Sequence, residues 1–214
     1  MASPIEEKFV IDNLSKKTVY EFGCAPGKFT SRIASMGFDV TGVDLYDAEV
    51  TDGYTFIKGD VVMSTNRNTY DNVICVSSIE HSGIESADFL QGDDSDIMYI
   101  NTVAAKLLEF VGDGSKLIVT APMGDGTTYY VDKLGNNGTR EQIKHPAWGY
   151  RTFSIESLLG LFDGFYVDKC KAYAKIDGDY FDINSWEEIP NDSHGTYDNK
   201  NRAVLCCVFN KKNK

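Results

Sequence analysis

Short apolar runs and longer amphipathic stripes alternate along this chain. TVYEF (18–22) is brief and rich in β-branched and aromatic residues, the composition of a strand. KFTSRIASMG (28–37) follows with Phe29, Ile33 and Ala34 at helical spacing and a closing Gly37. FDVTGVDL (38–45) and TFIKGD (55–60) read as the second and third strands. YDNVICVSS (70–78) reads as a fourth, its unbroken apolar run predicting a strand covered on both faces. DIMYINTVAAKLLEFVGDG (96–114) carries Ile97, Ile100, Val103, Ala104, Leu107, Leu108 and Val111, a helical stripe closed by Gly112 and Gly114. KLIVTAP (116–122) is a fifth strand stopped by Pro122. SIESLLGLFDGF (154–165) predicts a short helix leading into strand FYVDKCKAYAKI (165–176), and NRAVLCCVFN (201–210) a last strand.

Strands alternating with helices, then two closing strands, predict an α/β fold: a doubly wound, mostly parallel sheet that binds ligands at the carboxyl ends of its strands. Two polar, Gly/Asn/Asp-rich stretches, 123–152 and 177–200, are longer than ordinary connections and read as substrate loops.

Composition narrows the partners. At 214 residues, 42% hydrophobic and 25% charged, the chain is expected to form a single domain over 1–214. Its net charge of -11 would repel a phosphate backbone, so nucleic acid is not an expected partner. MASPIEEKFVIDNL has no basic segment followed by an apolar core, and no run of apolar residues is long enough to span a bilayer. The expectation is a soluble, cytoplasmic protein with no membrane partner. The cysteines at 24, 75, 170, 206 and 207 lack paired CxxC spacing and lie mostly in apolar runs, so reduced, buried thiols are expected.

The strand ends carry the chemistry. Gly23, Ala25 and Gly27 occupy the first strand-to-helix turn, where small residues let a ligand lie on the backbone and against a helix N-terminus. The spacing is G-x-A-x-G, not the G-x-G-x-x-G of dinucleotide sites, and Glu21 precedes it. That carboxylate disfavours a pyrophosphate and favours an amino group or a sulfonium. Asp44 ends the second strand, where a carboxylate can accept both ribose hydroxyls. Asp60 follows the third and can accept from an exocyclic adenine amino group, with Leu45 and Val61 as apolar faces for the ring.

In this order the residues resemble the S-adenosylmethionine-dependent methyltransferases of the Rossmann-like class. Their acidic-x-Gly-x-Gly/Ala-x-Gly loop matches Glu21, Gly23, Ala25 and Gly27. Their ribose-binding acid matches Asp44, and their adenine-side Asp matches Asp60. The resemblance covers nearly the whole chain. It implies a seven-stranded sheet with helices on both faces and an antiparallel last strand, and S-adenosyl-L-methionine as cofactor, leaving S-adenosyl-L-homocysteine. Cys24 in the turn and Ser77 after the fourth strand complete the cofactor set. The Asn/Asp-Pro-Pro-aromatic motif of amino-methylating nucleic-acid enzymes is absent, and Ser77, Ser78 and VTAP stand where ribose-methylating RNA enzymes carry an Asp and a Lys. VSSIEHSG, the VTAPMG strand end and the late RTFSIESLL segment are similar to methyltransferases of glycan and small-molecule biosynthesis.

That resemblance implies methyl transfer to a hydroxyl of a sugar, glycan precursor or other small polar acceptor. His81 is the candidate base, since imidazole titrates near neutrality, with Glu80 orienting it or facing the cofactor. Tyr129, Tyr130, Trp148, Tyr150 and Arg151 are candidate acceptor contacts, able to stack on a ring and pair with an anion. His145 is placed with them, and His194 lies in the second long loop. Asp93, Asp94 and Asp96, near Glu80, could hold a divalent metal but read better as the acidic N-terminus of a helix, so no metal is expected. A small-molecule N-methyltransferase and a non-catalytic S-adenosylmethionine-binding module remain as alternatives.

Overall fold

In the computed structural model, which describes residues 2–15, 17–84, 97–139, 141–143, 146–190 and 202–211, the first expected strand is preceded by a helix. This α1 (Pro4–Asn13) is opened by a capping box, with Pro4 in its first turn and the Glu6 carboxyl accepting from the Ser3 N–H at 2.7 Å. There follow β1 (Thr18–Phe22), α2 (Lys28–Ser35), β2 (Asp39–Asp44), β3 (Thr55–Lys58) and β4 (Tyr70–Val76). A 3-10 turn (Ile79–His81) and α3 (Ile97–Phe110) lead into β5 (Val111–Pro122). The remaining elements are β6 (Thr128–Asp132), β7 (Asn137–Gly138), β8 (Pro146–Arg151), α4 (Ile155–Gly160), β9 (Phe165–Lys175), β10 (Trp186–Ile189) and β11 (Ala203–Lys211).

The main sheet runs β3-β2-β1-β4-β5-β11-β9-β10. β1 to β5 pair in parallel, while β11 is antiparallel to both β5 and β9. Alternation along the central strands builds a core on each face. Val73 and Cys75 of β4, with Leu117 and Val119 of β5, pack under Val103 and Leu107 of α3 and Leu158 of α4. Ile74, Val76 and Ile118 point the other way, against Phe9 and Val10 of α1 and Ile33 of α2. The doubly wound, mostly parallel sheet with helices on both faces is therefore present.

Three features depart from the expectation. The sheet has eight strands, because β10 from the 177–200 stretch pairs outside β9. Part of the 123–152 stretch is not a loop but a second sheet, β7-β6-β8, which stands above the carboxyl end of β5. Finally, Cys170 and Cys207 face each other in the β9–β11 register and are bonded as a disulfide, whereas all five thiols were expected reduced; Cys24, Cys75 and Cys206 are free and buried. Among the described residues no helix is long and apolar enough to cross a membrane.

Candidate active site

The turn after β1 is held by its own chain. Gly23 and Gly27 have φ of +75° and +93°, left-handed values that favour glycine. A Cβ on Gly23 would collide with the Ser78 side chain, and one on Gly27 with the Val50 carbonyl and the Tyr54 hydroxyl. The sequence assigned this bareness to a ligand, but at both positions the space is taken by neighbouring protein. The Ser78 hydroxyl sits between the Gly23 and Val76 carbonyls at 3.1 and 2.9 Å, tying the turn to the end of β4. Cys24 turns inward, only 5% exposed, and burial pushes its thiol up to about 12. Its N–H donates to the Val43 carbonyl at 3.3 Å and its carbonyl accepts the Gly27 N–H at 2.7 Å, which closes the turn.

Asp44 closes this cradle from β2. One carboxylate oxygen accepts the Ala25 N–H at 2.8 Å and the other the Tyr46 N–H at 2.9 Å. Each oxygen keeps a second lone pair, so the residue that shapes the loop can also accept hydroxyls. Asp60 accepts the Val62 N–H at 2.9 Å in a tight turn after β3. Of the two expected ring faces, Leu45 is open at 59% exposure, whereas Val61 is buried in the core beside Val43 and Tyr20.

Glu21 lies beneath the turn with its Oε2 buried and unpartnered among the described residues. Burial raises its pKa to about 8, the Thr30 hydroxyl opposing part of the shift. A buried carboxyl oxygen without a partner is costly unless a ligand donor completes it.

On the other side of the sheet end, the 3-10 turn after β4 presents Glu80 and His81. His81 Nδ1 lies 2.6 Å from the Gly149 carbonyl of β8. A carbonyl only accepts, so Nδ1 carries the proton and Nε2 is left with a free lone pair. Burial of part of the ring lowers the imidazole pKa, the bond to Gly149 working against it. Glu80 does not orient this ring: its Oε1 stands 3.9 Å from Nε2, beyond a hydrogen bond. The Glu80 side chain is buried, its Oε2 lacks a partner among the described residues, and burial raises its pKa to about 8.

No protein-family model matches the chain. A ubiquinone biosynthesis O-methyltransferase of Rickettsia akari (strain Hartford) is 28% identical over 99 residues, 38% of this chain, and the chain spans 39% of that relative's length. Among solved structures, a SAM-dependent methyltransferase from Methanosarcina mazei superposes with a TM-score of 0.64 at 12% identity, covering 97% of both chains. The 1,6-didemethyltoxoflavin-N1-methyltransferase of Burkholderia thailandensis, with bound 1,6-didemethyltoxoflavin and S-adenosylhomocysteine, gives 0.62 at 14% identity over 97% of this chain and 78% of that one. The fold is that of the class I methyltransferases.

On this methyltransferase fold the remaining expected residues divide between two faces of the small sheet. Trp148 and Tyr150 alternate along β8, and Tyr129 of β6 pairs with Tyr150, so all three share one face. His81 meets Trp148 edge-on at 5.8 Å; Trp148 and Tyr150 are 5.6 Å apart, as are Tyr150 and Tyr129. They form an aromatic ladder leading away from the candidate base. Tyr130 and Arg151 belong to the opposite face. Tyr130 packs with Ile84 and Ile143, and Arg151 is 8% exposed with a buried Nη2 that has no partner among the described residues. His145, His194, Asp93, Asp94 and Asp96 lie outside the described residues.

Ser77 takes a different part from the one expected. Its φ of +45° turns the chain sharply after β4, and its hydroxyl donates to Glu6 of α1 at 2.6 Å. Glu6, Tyr180 and Arg202 also stand at this rim, and none was singled out in the sequence. Glu6 is an ordinary first-turn acid in a helix that was not foreseen. Tyr180 and Arg202 flank a polar stretch in which single residues carry no periodicity.

Proposed function

We propose that this protein is a cytoplasmic, S-adenosylmethionine-dependent O-methyltransferase acting on a hydroxyl of a sugar, glycan precursor or other small polar acceptor, with His81 as general base. The observation that carries the reading is the His81 tautomer: Nδ1–H is held by the Gly149 carbonyl, leaving Nε2 free to accept a proton at the rim of a methyltransferase fold. The cofactor-side residues are compatible with the group. Asp44 retains accepting capacity for ribose hydroxyls, and the orphaned Glu21 Oε2 marks a buried acceptor beneath the turn.

When bound, S-adenosylmethionine supplies a methyl group to the acceptor oxygen by in-line displacement. His81 Nε2 takes the hydroxyl proton as the new bond forms, and its lowered pKa keeps it unprotonated at neutral pH. Asp44 holds the cofactor loop in place through Ala25, and the Trp148–Tyr150–Tyr129 ladder supplies a stacking surface for the acceptor ring. Calorimetric titration with S-adenosylmethionine and S-adenosylhomocysteine tests the reading. Micromolar binding by the wild type, lost in Asp44→Ala, supports it; no binding by the wild type overturns it.

An amine acceptor is the second reading, favoured by the buried Glu80 carboxyl, whose unpartnered Oε2 would pair with an ammonium group.

A further inference from the structure

The rim of the site contains a cation that the reading above does not use. Arg202 immediately precedes β11, and the Ala203 carbonyl next to it accepts the Met123 N–H at 2.9 Å just beyond the end of β5. That position is the carboxyl end of the parallel strands, the same rim that carries Asp44 and His81. Its guanidinium carbon lies 4.7 Å from the centroid of the Tyr180 ring. Tyr180 is itself braced: its carbonyl accepts from the Trp186 indole at 3.2 Å, and the two rings meet edge-to-face at 5.5 Å.

Stacking occupies a face of the guanidinium and one of its N–H groups also reaches the Tyr180 hydroxyl, but of the five N–H donors in its plane others remain for a carboxylate or phosphate, which arginine receives by two parallel bonds. Among the described residues no carboxylate forms an ion pair with Arg202. This occurs in a chain with 32 acidic against 21 basic side chains, where a surface arginine readily finds a partner. The tyrosines on either side report the same location. Tyr150 and Tyr180 both feel the Arg202 charge, so the cation acts on the Tyr150 end of the aromatic ladder as well as on its stacking partner, where the Glu6 and Glu80 carboxyls are felt too.

We propose that the acceptor is an anion: a hydroxylated ring bearing a carboxylate or phosphate, its body against Trp148 and Tyr150, its hydroxyl toward His81 Nε2 and its anionic group on Arg202. The proposal rests on the methyltransferase reading for the reaction, but charge recognition at this rim can be measured without turnover. A protein that fails to bind S-adenosylmethionine sinks the reaction; the anion site is judged by the following test alone.

The test is equilibrium binding, by calorimetry, of matched probes to the full-length protein. Glucuronate and glucose 6-phosphate are compared with glucose, and 3-hydroxybenzoate with 3-hydroxybenzamide. For at least one set the anionic member binds about ten- to a hundredfold tighter than its neutral counterpart, the range of one charge-assisted bond pair. The glucuronate and phosphate arms tell carboxylate from phosphate. Arg202→Gln brings the ratio to near unity, and Arg202→Lys, which keeps the charge but loses the planar fork, retains part of it. Thermal melting of both variants verifies that they are folded. Equal binding of anionic and neutral probes by the wild type, including no binding of either, overturns the proposal, as does a preference that survives in Arg202→Gln.

Discussion

Glu6 and Ser77, 71 residues apart, share a hydrogen bond of 2.6 Å that fastens the first helix to the rim of the candidate site. The same Glu6 oxygen accepts the Thr120 hydroxyl of β5 at 2.7 Å, while the other takes the Ser3 N–H and hydroxyl at 2.7 and 2.8 Å. One fully buried carboxyl thus joins α1 to the ends of β4 and β5. Glu6→Ala leaves three hydroxyls and the Ser3 N–H without their acceptor, at about 1–3 kcal/mol for each one that stays buried and unpaired. Amide hydrogen exchange in α1 should then accelerate well ahead of exchange in α3. Exchange in α1 as slow as in the wild type would mean that apolar packing through Phe9 and Val10 holds the helix without the clip.

Two buried carboxyls, Glu21 and Glu80, make stability depend on pH in a stated direction. Burial raises each to about 8, above the ordinary 4.5, so between those values the folded protein keeps protons that the unfolded chain releases. Stability is fully present below pH 4.5 and falls as pH rises toward 8, by at most about 1.4 kcal/mol per pH unit for each group. Urea unfolding of the ligand-free protein should therefore give a lower free energy at pH 7.5 than at pH 5.5. Glu21→Gln and Glu80→Gln should each flatten the slope. An unchanged slope in either variant shows that the carboxyl concerned carries no proton.

Continuous apolar runs and strand-end punctuation made β1, β4 and the placement of Asp44 legible, since these depend on neighbours in sequence. What was missed depends on neighbours in space. Ser77 was assigned to the cofactor because nothing near it in the chain announces Glu6. Glu80 was offered as the residue orienting His81, a task performed by the Gly149 backbone carbonyl, which has no sequence signature. The pairing of Cys170 with Cys207 follows from the β9–β11 register and not from any spacing. β10 is four residues long, and β6 to β8 are short hairpin strands among Gly and Asn residues, too brief for period-two alternation to stand out.

The turn glycines separate conformational strain from collision. Gly27 and Gly37 share nearly the same φ, +93° and +94°, yet a Cβ on Gly37 meets nothing within 4 Å, while one on Gly27 meets the Val50 carbonyl and Tyr54 hydroxyl. Gly37→Ala should lose only the left-handed penalty of about 1–2 kcal/mol. Gly27→Ala should lose measurably more in chemical denaturation and, on the proposed assignment of this turn to the cofactor, also weaken S-adenosylmethionine binding. Equal losses in the two variants would show that the Val50 segment yields freely.

His81 decides between hydroxyl and amine acceptors. The Gly149 carbonyl fixes the proton on Nδ1, and partial burial holds the imidazole below its ordinary pKa, so Nε2 is a competent base at neutral pH. For a hydroxyl acceptor, kcat should rise with pH along a limb centred below about 6.5, the ordinary histidine value. His81→Asn is the sharper variant: its side-chain amide can still donate to the Gly149 carbonyl, but it offers no base. The rate should fall about 10²- to 10⁴-fold, the usual worth of general-base catalysis, and the limb should vanish while S-adenosylmethionine binding stays within a few-fold of the wild type. An amine acceptor, neutral once its own proton has gone, needs no such base. A variant that keeps most of its rate, with a pH profile set by the amine, would move the assignment to N-methylation and give the buried Glu80 carboxyl the acceptor-binding part.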